Sequence, residues 1–360
     1  MKLGPTRATV TAATLKAPSC PIARPGDLVI WYQNTLRQRG TLLGHTPYGT
    51  GLVAPDDGGA HSKVPYDSFR LAEPEAAVGP IWAGLSHPGA ILQATEEDLK
   101  AVQALMGSMV PPGIRHSDLT TEIWLHGFEV FLSGAALRNV LTGETTLDAE
   151  LVTTMPYDRL ERLVLSMYGE QNVASGDLLA RAGRLRVGGR TGTADPAADI
   201  RMFRFDKPGS PTALFGADFR RDMDYGDFTC HSVYYEPSNA VFIDPCGTAL
   251  EDVEQRCLTP NFEPKRLSPR EQAVIGLRAL SLKLSGYSLS EKGEAFFAEL
   301  DESLAALSHV DRAAEIKEAL GGGGRVLSDE VWQGVREVFV DLGHEHVWHK
   351  YFAPCRDMLS

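Results

Sequence analysis

Phe131-Leu-Ser-Gly-Ala-Ala-Leu-Arg-Asn139, Gly143, Leu147-Asp-Ala-Glu-Leu-Val-Thr153 and, further along, Asp199-Ile-Arg-Met-Phe-Arg204 are the stretches on which the reading of this chain turns. The first is an apolar strand that passes through a small-residue turn into a helix. The next is a strand carrying Asp148 and Glu150, whose spacing of two puts both carboxylates on one face. Asp199 opens another apolar run and is placed to meet them from a neighbouring strand. Convergent carboxylates suit Mg²⁺, a hard cation that prefers oxygen ligands and usually binds substrate phosphates as well. Two such ions can hold the attacking and leaving oxygens of an in-line phosphoryl displacement. The pattern predicts Asp148, Glu150 and Asp199 as catalytic residues, Asp148 and Glu150 as metal ligands, and Mg²⁺ as cofactor.

The chain has 360 residues, enough for two or three domains with a sizeable core, and its 43% hydrophobic and 23% charged residues are those of a globular protein. No apolar run approaches the length of a membrane span, and the N-terminus lacks a signal-peptide pattern. Cys20, Cys230, Cys246, Cys257 and Cys355 are scattered, odd in number and without a CxxC, which argues against a disulfide framework or a zinc ribbon. A cytoplasmic protein is expected. The net charge of −12 disfavours a broad nucleic-acid-coating surface but leaves room for a local basic cleft. Arginines cluster at Arg181, Arg184, Arg186 and Arg190, at Arg201 and Arg204, and at Arg220 and Arg221. Each cluster is either phosphate-facing or an ordinary solvated surface.

The pattern divides the chain into three. Residues 1–94 read as a small SH3-like β domain with a linker. Leu28-Val-Ile-Trp-Tyr32 and Gly40-Thr-Leu-Leu-Gly44 are strands, Tyr48 to Gly51 and Asp56 to Gly59 are turns, and Lys63 to Leu71 closes the unit. A Pro/Gly/Ala-rich connection follows at 72–94. Residues 95–262 alternate strand and helix and form the candidate catalytic head, opened by a helix capped at Thr95 with acids in its first turn. Residues 263–360 turn helical. Ser268-Pro-Arg-Glu starts the first of these helices, with Ser268 as N-cap, Pro269 at N1 and Glu271 at N3. Helical segments at Ser290 to Ala306, Asp311 to Leu320 and Ser328 to Leu342 follow, broken by Gly321 to Gly324. The expected fold class is α+β.

The ordered series of segments over about residues 118–320 resembles the class II tRNA nucleotidyltransferase and bacterial poly(A) polymerase family, whose head is polymerase-beta-like. The family's Gly-Gly-x-Val-Arg-Asp turn reads Gly134-Ala-Ala-Leu-Arg138-Asn139 here, and its Asp-x-Asp reads Asp148/Glu150, five residues after Gly143. Its third acidic strand is matched by Asp199 to Arg204, and its Arg-Arg-Asp-Phe-Thr-Ile-Asn run by Tyr225-Gly-Asp227-Phe-Thr229-Cys-His231. Ile243-Asp244-Pro245-Cys-Gly247 and Leu277-Arg278-Ala-Leu match later segments. The resemblance implies a polymerase-beta-like head with a helical neck and body. It also implies nucleotide contacts from Gly134, Ala135, Arg138, Asn139, Asp227, Thr229, His231 and Arg278. For His231 a packed core histidine is the alternative. Substrates would be a nucleoside triphosphate and, by default, an RNA or tRNA 3′ end, with release of pyrophosphate. No membrane partner is implied, and the oligomeric state is left open.

The chain departs from the family at Ala135, Asn139 and Glu150 and at the paired arginines, which are Tyr225 and Gly226 here. The neck's base-reading Glu-Asp-x-x-Arg is Glu271-Gln272-Ala-Val-Ile275, and residues 261–360 hold more Asp and Glu than Lys and Arg. These departures keep two other functions open: nucleotidylation of a small molecule, peptide or protein, and a catalytically inactive nucleotide-binding or scaffold protein. Near the C-terminus His344, His346, His349 and Cys355 have zinc-ligand chemistry, but their spacing does not share one helical face. A packing segment with Trp348 and Tyr351 is expected there instead.

Overall fold

The computed structural model describes residues 7–10, 27–33, 36–47, 50–65, 69–71, 81–85, 87, 89–146, 148–189, 196–205, 213–262, 267–321 and 327–359. Several sequence expectations fall outside them: Cys20, the turn at Tyr48-Gly49, residues 72–80 of the connection, Leu147, Arg190 and the glycines at 322–324. The described residues form two compact units. Unit 1 lies within Met1–Gly189, Ala194–Gly226 and His231–Leu250; unit 2 takes Asp227–Cys230 and Glu251–Ser360. The boundary expected at residue 94 falls inside unit 1.

Unit 1 opens with β1 (Leu28–Gln33), β2 (Leu36–His45), β3 (Thr50–Pro55), β4 (Ser62–Pro65) and β5 (Phe69–Leu71), paired antiparallel in the path β5-β1-β2-β3-β4. Strand alternation turns Val29, Trp31, Leu42, Val53 and Val64 to one buried face. There follow β6 (Ile91–Gln93), the hairpin β7 (Met109–Val110) and β8 (Ile114–Arg115), β9 (Val130–Leu132), β10 (Ala149–Thr153), β11 (Val173–Ala174), β12 (Arg184–Gly188), β13 (Ala197–Arg204), β14 (Phe215–Gly216), β15 (Tyr234–Glu236) and β16 (Val241–Ile243). One hydrogen-bonded path runs β4-β3-β2-β14-β13-β10-β9-β15-β16-β6, with β12 on the outer side of β13. The N-terminal strands therefore continue into the central sheet, through Phe215 of β14 beside His45 of β2.

The helices of unit 1 are α1 (Glu96–Met106), α2 (His116–Leu125), α3 (Gly134–Leu141), α4 (Tyr157–Tyr168), α5 (Asp177–Arg181) and α6 (Phe219–Met223). The first begins where the sequence places its cap: Thr95 and Asp98 form a reciprocal capping box. The amphipathic fourth helix buries Tyr157, Leu160, Val164 and Tyr168, one stripe at helical spacing. Phe131 of β9 sits at the centre of the core. Its ring meets Trp82, Phe203 and Phe219 edge-on at 5.9, 5.6 and 5.1 Å. This packing fixes β9 and β13 on either side of β10, the strand that Asp148 leads into.

Unit 2 is mainly helical. A short α7 (Ala249–Glu254), of which Glu251 onward belongs to this unit, leads to β17 (Cys257–Leu258), and α8 (Pro269–Leu284) to β18 (Ser288–Leu289), which pairs parallel with β17. Then come α9 (Glu291–Ala298), α10 (Leu300–Ala305), α11 (His309–Gly321), α12 (Asp329–Asp341), α13 (Glu345–Val347) and α14 (Ala353–Leu359). Ser268 and Glu271 cap α8 reciprocally, with Pro269 in its first turn. Leu277, Leu280, Phe297, Trp332, Phe339 and Phe352 are buried in its core. Among the described residues, no helix is long and apolar enough to cross a membrane.

Candidate active site

The entry to α3 is built around one glycine. The chain leaves β9 through Ser133 in extended backbone, and Gly134 then takes a positive φ of 67°. A side chain there would meet a second obstacle, because a Cβ would lie 2.1 Å from Oε2 of Glu150. Position 134 is thus reserved for glycine by both backbone and neighbour. The Glu150 carboxylate lies under this turn and accepts the Ala136 amide. It therefore occupies part of the amino end of α3, where negative charge is favoured. Burial and the nearby Asp199 raise its pKa; Arg201, the Ala136 amide and Arg138 oppose that rise.

The three carboxylates come from neighbouring backbone. Glu150 lies beside Asp199 in the parallel β10–β13 pair. Asp148 stands one residue before β10, and its Oδ1 accepts the Ala197 amide at 3.1 Å. Across the antiparallel β12–β13 ladder, Asp199 is directly opposite Arg186. Opposite residues share a face, and the Arg186 guanidinium donates to Asp199. Its other terminal nitrogen lies 3.3 Å from Asp148 Oδ2, and its Nε donates to the Gly189 carbonyl at 3.2 Å. Arg184, two residues earlier, lies 3.7 Å from the other oxygen of Asp199. Arg186 is 19% exposed, Asp199 25% and Asp148 47%, so the group lies at the rim of the site, within reach of solvent.

Whether a divalent cation fits can be read from this arrangement. Among the described residues, no three His, Cys, Asp or Glu side chains form a group placed to hold a metal ion. Glu150 is engaged at the helix. Asp148 and Asp199, however, already share one cation in the form of Arg186. Two carboxylates plus substrate phosphates are a normal Mg²⁺ environment, so this pair fits the ion. Sequence reading grouped Arg186 with other arginines and missed its carboxylate partners. Only the β12–β13 register, a non-local feature, brings them together.

Arg138, on α3, is buried and makes a short contact with His231. Its NH1 lies 2.5 Å from Nε2 of His231, while Nε and NH2 donate to Asn139 Oδ1 at 3.1 and 2.6 Å. Nε2 is thus the acceptor and the imidazole is neutral. Burial and the adjacent Arg138 push the His231 pKa down to about 3. Arg138, Asn139 and His231 are therefore brought together. Ala135, beside Gly134, lies in the first turn of α3. A further pair was not legible as such. Arg201 grips the buried Asp222 at 2.5 and 2.8 Å, and Asp222 also accepts from the Tyr234 hydroxyl at 2.7 Å and the Arg204 amide at 2.8 Å. Arg201 is thus held in an ion pair, and Arg204 stacks over Tyr225 at 4.3 Å.

Asp227, Thr229 and Arg278 belong to unit 2. Arg278 donates to Asp227, and the Thr229 hydroxyl donates to Asp252. Glu271 is engaged with the Ser268 cap, and the Gln272 amide oxygen accepts from Ser303 at 3.1 Å. Of the C-terminal histidines, His346 lies 3.4 Å from Asp301 and His349 lies 3.5 Å from Glu345. Trp348, Tyr351 and Cys355 are buried.

No protein-family model matches the sequence, and no curated protein does. Solved structures do match. The Bacillus stearothermophilus CCA-adding enzyme in complex with CTP is 21% identical with a TM-score of 0.45, over 64% of this chain and 53% of that one. A tRNA nucleotidyltransferase complexed with a primer tRNA and an incoming ATP analog is 17% identical with a TM-score of 0.46, over 62% and 60%. A CCA-adding enzyme with ATP is 14% identical with a TM-score of 0.49, over 71% and 55%. The chain is similar to these proteins at low identity, and it spans between 53% and 60% of their length.

Proposed function

We propose that this chain is a divergent nucleotidyltransferase. It moves a nucleoside monophosphate from a nucleoside triphosphate to a hydroxyl acceptor, by default an RNA 3′ end, and releases pyrophosphate. The observation that carries the reading is the acidic pair Asp148/Asp199 set beside the glycine-opened amino end of α3, with Glu150 between them and the helix. Asp148 and Asp199 are the carboxylates that would hold Mg²⁺, in place of the Asp148/Glu150 pair expected from the sequence, because Glu150 is engaged at the amino end of α3. When bound there, the ion neutralises charge on the phosphates and lowers the pKa of the attacking hydroxyl. Asp199 would also help to activate that hydroxyl. Gly134 and Ala135 bring little side chain to the amino end of α3, part of which Glu150 occupies, and Arg138 adds positive charge behind them. Asp227, Thr229 and Arg278 remain the candidate nucleotide contacts of unit 2.

One observation favours a non-RNA acceptor as the second reading. Residues 261–360 hold more Asp and Glu than Lys and Arg, whereas a surface that grips RNA gains from positive charge. The test is Mg²⁺-dependent pyrophosphate release with each nucleoside triphosphate separately, with and without total RNA, for wild type and Asp148→Asn. Wild type should release pyrophosphate, and Asp148→Asn should lose nearly all of it. Release only with RNA, falling steeply as salt rises, selects the RNA acceptor. Release without RNA, with the nucleotide recovered on another hydroxyl by mass analysis, selects the second reading. Wild-type release that Asp148→Asn leaves intact would sink the assignment of the site.

A further inference from the structure

Resting on the nucleotidyl-transfer reading, we propose that Arg186 is the resident cation of the acidic pair, and that a divalent metal ion must displace it to bind there. Asp148 and Asp199 reach two different nitrogens of one guanidinium, Asp148 at 3.3 Å. That fork meets the electrostatic need a divalent ion would meet, since it lets two negative charges sit close together. A metal ion ligated by both carboxylates would lie close to the guanidinium that bridges them, and two cations at so short a separation repel.

Arg186 is not a freely swinging surface arginine. Strand register places it opposite Asp199, and the bond from its Nε to the Gly189 carbonyl fixes the guanidinium plane. Arg184 is more exposed, at 50%, and 3.7 Å from Asp199, so it is the weaker partner. Metal affinity at the pair is therefore set by Arg186. A metal ion arriving with a triphosphate brings anionic oxygens that give the displaced guanidinium new partners. Arg186 thereby acts as a positioning residue for the acidic pair.

The test titrates Mn²⁺ into the full chain without nucleotide, followed by electron paramagnetic resonance. Arg186→Gln should bind Mn²⁺ at least about tenfold more tightly than wild type, the scale of coupling between close charges. Adding Asp148→Asn to Arg186→Gln should abolish that gain. In EDTA, Arg186→Gln should melt below wild type, and saturating Mn²⁺ should narrow the gap. Equal Mn²⁺ affinity in wild type and Arg186→Gln would overturn the proposal, as would a gain that survives Asp148→Asn. If Arg186→Gln does not fold, Arg186→Lys takes its place. It keeps one charge but cannot fork across both carboxylates, so a smaller gain of the same sign is expected and no gain refutes. The two readings fail separately. Mn²⁺ behaviour as expected without pyrophosphate release sinks catalysis alone; release with unchanged Mn²⁺ affinity sinks displacement alone.

Discussion

A side chain at Gly134 would have to push the Glu150 carboxylate aside. The φ of 67° at this position costs an alanine about 1–2 kcal/mol. The Glu150 carboxylate, 2.1 Å from where a Cβ would sit, adds to that. Gly134→Ala should therefore lower the unfolding free energy by about 2 kcal/mol or more, measured by urea denaturation. In a Glu150→Ala background the same change should cost only the backbone part. Equal costs in both backgrounds would show that the carboxylate does not bear on this turn. His231 gives the second expectation at this scale. Its folded pKa of about 3 lies below its ordinary value of 6.5. Between those values the unfolded chain binds a proton that the native state refuses, so stability falls as pH drops from about 6.5 towards 3. Between pH 7 and pH 5, wild type should lose about 1–2 kcal/mol more than His231→Gln, which keeps an acceptor for Arg138 but does not titrate. Parallel losses in urea midpoint would refute this. That Gly134, Glu150 and Asp199 lie together could be expected from the sequence, because short spacings and a glycine turn are local signals. The partners of Arg186 and Arg201 could not, because both depend on which strand or helix lies opposite.

At the scale of elements, the same division holds. Helices α1, α8 and α12 begin at Thr95, Ser268 and Ser328, where each cap side chain accepts a backbone amide of the first turn. Capping is decided within four residues, so these starts could be read directly. The attachment of α6 could not. It is tied to β13 through Asp222, one buried carboxylate that takes two bonds from Arg201, one from the Arg204 amide and one from Tyr234. Nothing near Asp222 in sequence announces these partners, which lie 21 and 18 residues before it and 12 after it. Asp222→Ala leaves the Arg201 charge without its counter-ion and frees two further donors. Because Arg201 is 33% exposed, the cost should fall below the ~3–5 kcal/mol of breaking a fully buried ion pair. Asp222→Asn, which keeps acceptor oxygen but not charge, should cost less. If the two variants unfold at the same urea concentration as wild type, Asp222 does not anchor the helix.

At the scale of the whole molecule, the all-β character of residues 28–71 was visible in strand alternation and turn residues, whereas their continuation into the central sheet was not. That continuation passes through β14, which comes from the far side of the head sequence and pairs with β2. Two other ties run the same way within unit 1. The Val10 amide donates to Ile91 at 2.9 Å, and the Gln93 amide to Ala8 at 2.8 Å, beside β6 at the opposite end of the sheet. Arg7 pairs with Asp98 on α1 at 2.8 Å, both side chains almost fully buried. Asp98 keeps a lowered pKa against its burial because Arg7 and Thr95 bond to it. Removing residues 1–80 would strip the outer edge of β14, leave Asp98 without its cation, and expose the backbone of β6 on one side. The truncated chain should melt well below the full chain and self-associate in sedimentation velocity. Restoring residues 28–71 without the N-terminal arm should recover the β14 edge but not the Arg7–Asp98 pair, giving an intermediate melting temperature. A monodisperse truncation with the full chain's melting temperature would mean instead that the N-terminal strands add nothing to the head. Loss of stability in both steps would show that the sheet is one cooperative structure from β4 to β6.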